Sequence, residues 1–95
     1  MSYSLIFHTD AIKEWDKLEQ TTRQQFKKKL AERLQNPHVP ASRLAGYTGF
    51  AYKIKLRSSG HRLVYIVDDG RVMVIVLAVG KRERNQVYKV AQRRE

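Results

Sequence analysis

The stretch YKIKLRSSGHRLVY, Tyr52 to Tyr65, predicts a β-hairpin with one cationic face and one apolar face. Apolar and charged residues alternate with a period of two on both sides of Ser58-Ser59-Gly60, which is typical of strands that bury one face. On the first arm, Ile54 and Leu56 alternate with Lys53, Lys55 and Arg57.

The alternation also predicts the register, because a slip of one residue would move every side chain of one strand to the other face. An even loop, of two or four residues, puts Lys55 opposite Arg62 and Ile54 opposite Leu63, whereas a loop of three would put Lys55 opposite Leu63. We therefore predict an even loop. This register gathers three cations on one face with no carboxylate among them: Lys53, Lys55 and Arg62.

The spacing of the residues does not decide between two explanations of this cationic face. Lysine on an edge strand can be a solvated face that discourages aggregation. Alternatively, the cations bind a polyanion, and Arg62 favours this explanation because it adds a charge on the inner strand. Neighbouring cations also disfavour the charged form of a lysine and lower its pKa, so Lys53 or Lys55 could act as a base.

Composition indicates one soluble domain, residues 1–95, with 42% hydrophobic residues and no cysteine. The absence of cysteine excludes disulfides and zinc–thiolate sites. The N-terminus has neither a basic segment nor a long apolar run, so we expect a cytoplasmic protein that does not enter a membrane. The net charge is +10, and residues 43–95 carry +8 of it. Such a field attracts nucleic acid, an anionic membrane or an acidic protein, and charge alone does not choose among them.

The periodicities predict an α+β domain in the order β-α-α-β-β-β-α, with three sequential antiparallel strands. An α-hairpin covers one face of the sheet, and the cationic side chains point to the other face. The predicted elements are a strand at Ser2 to His8, a helix capped by Thr9 or Asp10, a helix from Gln20-Thr21-Thr22 to Asn36-Pro37, the hairpin, a type I′ turn at Asp69-Gly70, a strand at Arg71 to Val79 and a helix from Asn85 to about Arg93.

Cleavage of a phosphodiester needs donors for the phosphate oxygens, a base and an acid. The three histidines, His8, His38 and His61, are scattered, and no carboxylate pair accompanies the cationic face, so neither a metallonuclease nor a histidine-based ribonuclease is expected. A site of lysine and arginine remains, and we predict no metal or cofactor.

Other candidates have a structural alternative beside the functional one. Tyr88 packs on the core or stacks on a base. The run Lys27-Lys28-Lys29 is a solvated helix face or a second RNA contact, and the basic segment after Gly80 is a helix start or part of the site. The residues predicted to contact RNA are Arg43, Arg57, Lys81, Arg84, Lys27 and Lys28.

The residues then match a known pattern. Trp15 with Leu18, KKKL at Lys27 to Leu30, YKIKLRSSGHRLVY, and VGKRERNQVY at Val79 to Tyr88 together resemble the RelE toxins of bacterial RelBE toxin–antitoxin pairs, in order over nearly the full chain. The resemblance implies a microbial-ribonuclease-like fold and an endonuclease that cuts mRNA in the ribosomal A site. Some relatives use a histidine and a glutamate, and this sequence belongs with the lysine and arginine type.

The resemblance also implies roles and partners. Lys53 and Lys55 match the family's hairpin lysines, with Lys55 as general base; Arg62 stabilises the transition state, Arg82 is the general acid, and Tyr88 orients the base. A guanidinium stays protonated to a pKa above 12, so an electrostatic role for Arg82 is the alternative. The implied partners are a RelB-like antitoxin, the ribosome with its 16S rRNA, mRNA, and operator DNA only as the toxin–antitoxin complex.

Two hypotheses of another class remain beside the nuclease. The chain could be a basic RNA-binding or ribosome-binding module without catalysis, whose affinity falls with salt. It could also use the basic face mainly to dock an acidic protein, which the family interpretation includes as the antitoxin.

Overall fold

The computed structural model describes residues 2–81 and 86–95. The predicted element order is confirmed. The elements are β1 Ser4–Phe7, α1 Thr9–Asp16, α2 Gln20–Gln35, a 3-10 turn Pro40–Ser42, β2 Phe50–Leu56, β3 His61–Asp68, β4 Met73–Lys81 and α3 Gln86–Arg94.

The four strands form one mixed sheet in the order β1-β4-β3-β2. The three strands β2, β3 and β4 form the predicted antiparallel meander. β1 joins its far side and runs parallel to β4, with Ile6 opposite Ile75. The α-hairpin and the meander separate these two strands in the chain, in keeping with the long crossover that parallel strands need. β2 is therefore an edge strand.

The helices α1 and α2 cover one face of the sheet and bury the larger core cluster. In α2, Phe26 and Leu30 are four residues apart and point to the same side of the helix, and both are at most 2% exposed. Trp15 of α1 packs between Phe7 and Phe26, with ring centroids 5.1 and 6.2 Å away. These contacts hold α2 along the sheet, and Asn36 follows its last helical residue.

The helix α3 packs on the opposite face and completes a second core cluster. Val87 and Ala91, four residues apart, lie against Val64 of β3 and Ala78 of β4. Gly80 lies next to Val87, and a Cβ built there would be 3.4 Å from Val87 Cγ2, an ordinary contact distance. The cationic face of the hairpin thus shares its side of the sheet with α3.

Two local predictions differ from the structure. The residue that caps α1 is His8, whose Nδ1 accepts a hydrogen bond from the Asp10 N–H, and not Thr9 or Asp10. The predicted type I′ turn at Asp69-Gly70 is also wrong, because the only non-glycine residue with positive φ in the described chain is Val72.

The connection between β3 and β4 has four residues, 69–72, rather than two. The side chain of Asp68 explains the difference, because its Oδ1 accepts the Arg71 N–H at 3.1 Å and sets a wider turn. None of the helices in the described residues is long and apolar enough to cross a bilayer.

Candidate functional site

The hairpin of β2 and β3 has the register predicted from its alternation. Lys55 lies opposite Arg62, and Leu56 lies opposite His61, which leaves a loop of four residues, 57–60. Gly60 closes this loop: its N–H donates to the Leu56 carbonyl at 2.9 Å, and its φ of +75° is in the left-handed region that favours glycine. The even loop is confirmed, and with it the gathering of Lys53, Lys55 and Arg62 on one face.

Arg62 holds the most buried charge of this face. It is 9% exposed and lies between Lys55 of β2 and Gly80 of β4. Its Nη1 donates to the Gly60 carbonyl at 3.3 Å, and the ion pairs formed within residues 2–81 and 86–95 do not include it. A guanidinium has five N–H donors in a fork that matches phosphate oxygens. Arg62 therefore has donors left for an anion.

The charges around Lys55 change its acidity in the predicted direction. The pKa of this exposed lysine is lowered, first by the charge of Lys53, then by slight desolvation and by the charges of Arg62 and Arg57. A lower pKa raises the fraction of neutral amine near neutral pH, and the neutral amine is the form that accepts a proton. The direction of the pKa shift expected from the neighbouring cations is thus found, and the role of Lys55 as a base stays a prediction.

Tyr88 lies on α3, on the same side of the sheet as Arg62. Its side chain is half-buried against the second core cluster, and its carbonyl accepts the Tyr47 hydroxyl at 2.8 Å. Burial raises the pKa of Tyr47 to about 12, so this hydroxyl stays protonated and remains a donor. The loop before β2 is in this way tied to the turn of α3 that carries Tyr88.

The last turn of α3 is anchored at two points. Arg94 forms a bidentate pair with Glu14 of α1 at 2.9 and 3.0 Å and also donates to the Leu77 carbonyl. The carboxylate of Glu95 accepts the N–H groups of Thr48 and Gly49 at 2.7 and 2.6 Å. These contacts hold α3, and with it Tyr88, in a defined position on the sheet.

A cationic groove runs between α2 and the free edge of β2, and we refer to it as the α2–β2 groove. It consists of two adjoining hollows of about 600 and 350 Å³. Its cationic lining was not predicted as a unit: Lys28, Lys29 and Arg33 of α2, with Lys53, Lys55 and Arg57 of the hairpin. The spacing of four between Lys29 and Arg33 shows that they share a helix side, but the sequence does not show that this side lies along β2.

Comparison with known proteins identifies the family to which this chain belongs. The family model described as the ParE toxin of the type II toxin–antitoxin system parDE matches residues 5–86. The mRNA interferase toxin RelE of Escherichia coli K12 is 54% identical over 94 residues, which are 99% of this chain and 98% of that protein. The chain belongs to the RelE toxins. The resemblance inferred from the sequence is confirmed.

Solved structures show the same fold. The free state of a double arginine mutant of the E. coli toxin RelE has a TM-score of 0.90 at 52% identity and covers 99% of this chain and 98% of its own. RelE in the intact E. coli RelBE toxin–antitoxin complex has a TM-score of 0.83 at 54% identity, covering 87% and 100%. The RelE fold of this chain therefore extends over both helical layers and the sheet.

The structure assembles part of the site predicted for this RelE toxin. Lys53, Lys55 and Arg62 form one row on the hairpin, and Tyr88 lies on the same side of the sheet. Arg82 and Arg84 lie outside the described residues, so the acid or clamp assigned to Arg82 stays a prediction.

The residues predicted to contact RNA separate into two groups in this RelE toxin. Lys28 and Arg57 line the α2–β2 groove. Arg43 lies with its guanidinium 4.6 Å from the ring centre of Phe50, Lys81 lies opposite His61, and Lys27 borders a pocket that it shares with Leu5 and Trp15. None of these three lines the groove, although Lys81 directly follows Gly80, the residue opposite Arg62. Their contact with RNA stays a prediction.

The three histidines of this RelE toxin have local partners instead of a place in the cationic row. His8 caps α1. His38 contacts Asp69 through Nε2 at 2.9 Å and the Tyr52 hydroxyl through Nδ1 at 2.8 Å. His61 Nδ1 lies 2.8 Å from the Ser59 hydroxyl, and burial followed by the charge of Lys81 lowers its pKa.

Proposed function

We propose that this RelE toxin is a ribosome-dependent mRNA endoribonuclease that needs no metal ion and acts through the 2′-OH of its substrate. The observation that supports this most strongly is the row of Lys53, Lys55 and Arg62, in which a buried arginine has free donors and a lysine has a lowered pKa. The relatives at 54% identity are named mRNA interferases, which supports the substrate class.

The proposed reaction is an in-line transfer of the phosphoryl group within the RNA. The neutral amine of Lys55 takes the proton of the 2′-OH, the bond from O2′ to phosphorus forms, and the bond from phosphorus to O5′ breaks. The 5′-oxygen leaves with a proton supplied by an acid, for which Arg82 is the candidate. The products are a 2′,3′-cyclic phosphate, which water can open to a 3′-phosphate, and a 5′-hydroxyl.

Arg62 and Tyr88 have different tasks in this proposal. The negative charge on the phosphorane oxygens grows in the transition state, and a guanidinium that is already in place stabilises that charge without reorganising. Arg62 is held by its buried position on β3 and meets this requirement. Tyr88 orients the base next to the scissile bond, and the contacts of α3 with the sheet hold it there.

The ribosome is proposed as the partner that positions the message. The A site and its 16S rRNA would hold the mRNA in place, because the surface of this small domain is too limited to do so alone. A RelB-like antitoxin is proposed as the inhibitor, since RelE of E. coli forms an intact complex with RelB. Binding to operator DNA is assigned only to the toxin–antitoxin complex. All these partners are found in the cytoplasm, where we place the protein.

Primer extension on ribosomes programmed with an empty A site tests the proposal. The protein should cut the message there and leave free RNA nearly intact. Substituting Arg62→Met keeps an unbranched side chain and removes the charge, and we expect single-turnover cleavage to fall by about 10²-fold or more, as for the loss of one transition-state donor. Arg71→Met is the matched control, because the Arg71 side chain is 79% exposed in the loop between β3 and β4.

The outcome also separates the proposal from a binding module without catalysis. Absence of any cut product at saturating protein would favour the module, whose binding would then weaken with salt. A message with a single 2′-deoxy nucleotide before the scissile phosphate should resist cleavage, because the nucleophile is missing. Cleavage of that message at the normal rate would refute the 2′-OH mechanism and leave the endonuclease itself intact.

A further inference from the structure

The α2–β2 groove carries charge that the proposed cleavage does not use. Of its six cations, Lys28, Lys29 and Arg33 of α2 lie across the edge of the sheet from the reacting row, while the hairpin contributes Lys53, Lys55 and Arg57. Among the residues that the structure describes, Glu32 is the one carboxylate in the lining of the two hollows. The salt bridges formed by the described parts of the chain involve none of these cations.

Arg33 is the cation of the groove whose side chain is held in place by hydrogen bonds. Its Nη1 donates to the Tyr65 hydroxyl at 2.8 Å and to the Lys53 carbonyl at 3.3 Å, and its Nη2 donates to the Ser42 hydroxyl at 3.3 Å. These bonds use three of the five N–H donors of a guanidinium and leave Nε–H and one N–H of Nη2. Its partners within residues 2–81 and 86–95 are all neutral, so these residues do not compensate the charge of this half-buried side chain.

Neutral partners orient a charge but do not neutralise it. A partly buried cation is less hydrated than an exposed one and is more strongly stabilised by an anion of matching geometry. Around Arg33 the smaller hollow adds Lys29, Lys53, Lys55 and Arg57, and the described part of its lining contains no carboxylate. The arrangement is a preformed receptor for an oxyanion.

The groove is continuous with the proposed reacting site. Lys53 and Lys55 line the smaller hollow, and the same two residues belong to the row that contains Arg62. A single strand that places one phosphate at Arg62 and crosses the edge of β2 therefore meets the groove with a neighbouring phosphate.

We propose that the α2–β2 groove is a second phosphate-binding subsite, in which Lys29, Arg33 and Arg57 hold a backbone phosphate of the RNA strand adjacent to the one that reacts. The inference rests on the proposed function in its choice of RNA as the polyanion. Its test is a binding measurement, so that it can fail while cleavage is confirmed, or succeed while cleavage is not observed.

The probe is a 2′-O-methyl oligonucleotide of about eight nucleotides, which cannot supply a 2′-OH nucleophile. Its affinity is measured by fluorescence anisotropy as a function of salt for the full chain and for Lys29→Ala, a substitution at an exposed position that leaves the fold intact. Losing one phosphate contact should make the log–log salt slope about 0.7 less steep and weaken binding severalfold at low salt. Lys13→Ala, which removes the same charge from the exposed surface of α1, is the matched control and should change neither quantity.

A second measurement locates the phosphate. With ¹⁵N-labelled protein, the Arg33 Nε–H resonance should shift on addition of the oligonucleotide and should shift less in the Lys29→Ala variant at the same subsaturating concentration. Equal salt slopes for Lys29→Ala and Lys13→Ala, together with an unmoved Arg33 resonance, would overturn the proposal. So would a polyglutamate peptide of equal charge that binds more tightly than the oligonucleotide and moves the same resonance, because the groove would then be a dock for an acidic protein.

Discussion

Replacing Arg94 tests how α3 is held on the sheet. The guanidinium of Arg94 makes two bonds to the carboxylate of Glu14, at 2.9 and 3.0 Å, and a third to the Leu77 carbonyl at 2.9 Å. Glu14 Oε1 also accepts the Val79 N–H at 3.2 Å. The two side chains are 17% and 32% exposed, so water screens the pair only in part.

The substitution Arg94→Met removes the charge and keeps most of the aliphatic stem. A fully buried pair that loses one partner costs about 3–5 kcal/mol, and a hydrogen bond to a charged group contributes about 1.5–3 kcal/mol. Because the carboxylate of Glu14 is one-third exposed and can rehydrate, we expect a loss near 2 kcal/mol in the free energy of unfolding. In a domain of this size that corresponds to a fall in Tm of roughly 10 °C.

The assay is urea unfolding followed by circular dichroism, with Arg93→Met as the control. Arg93 is the preceding residue of α3, it is exposed, and it carries the same charge. Glu14→Gln should cost a similar amount, and the double variant should cost less than the sum, because both single changes break one interaction. Equal stabilities of the Arg94→Met and Arg93→Met variants, or strict additivity with Glu14→Gln, would refute the anchor.

Two further predictions concern acidity. Lys53→Met removes the largest cause of the lowered pKa of Lys55, so that pKa should rise, and the rising limb of the pH profile of single-turnover cleavage should move to higher pH. An unmoved limb would exclude Lys55 as the titrating base. Hydrogen bonds from Tyr3 and then His38 lower the pKa of Asp69, so its stabilising contribution is complete above its ordinary pKa and is lost as the pH falls through the lowered value. Urea unfolding of Asp69→Asn should therefore show a deficit at pH 6 that disappears in acid, and a deficit independent of pH would contradict the linkage.

The register of the hairpin was predictable because two alternating patterns had to agree across one loop. With an odd loop, Lys55 would face Leu63 and a charge would enter the core, so the sequence excluded that register on local grounds. The order of the elements followed from periodicity in the same way. Each of these inferences needed only residues that are close together in the chain.

What the sequence could not show depends on contacts between distant segments. The groove requires that α2 lie along β2, which is visible only once Arg33 reaches the Tyr65 hydroxyl, 32 residues away. The anchor of α3 joins Glu14 and Arg94 across 80 residues. The turn after Asp68 was wrongly predicted for a local reason, since Asp69-Gly70 favours a two-residue turn but the Asp68 side chain satisfies the Arg71 N–H in a longer one.

The position of the cations on an edge strand also connects solubility to function. On the outer edge of β2, the carbonyls of Ala51 and Lys53 accept hydrogen bonds from Leu44 and Arg33. Lysine on the rest of such an edge discourages pairing with another strand. In a chain of net charge +10, a second copy of the same edge is repelled, whereas an anionic strand is attracted. The two explanations of Lys53, Lys55 and Arg57 that spacing left open are therefore compatible. Charges that repel a second copy of this edge also attract a polyanion, such as the RNA or the acidic antitoxin proposed above. Arg62 and Arg33 differ from these three residues, because a buried or half-buried guanidinium does little to protect an edge. Their hydrogen bonds within the described residues leave N–H donors unused.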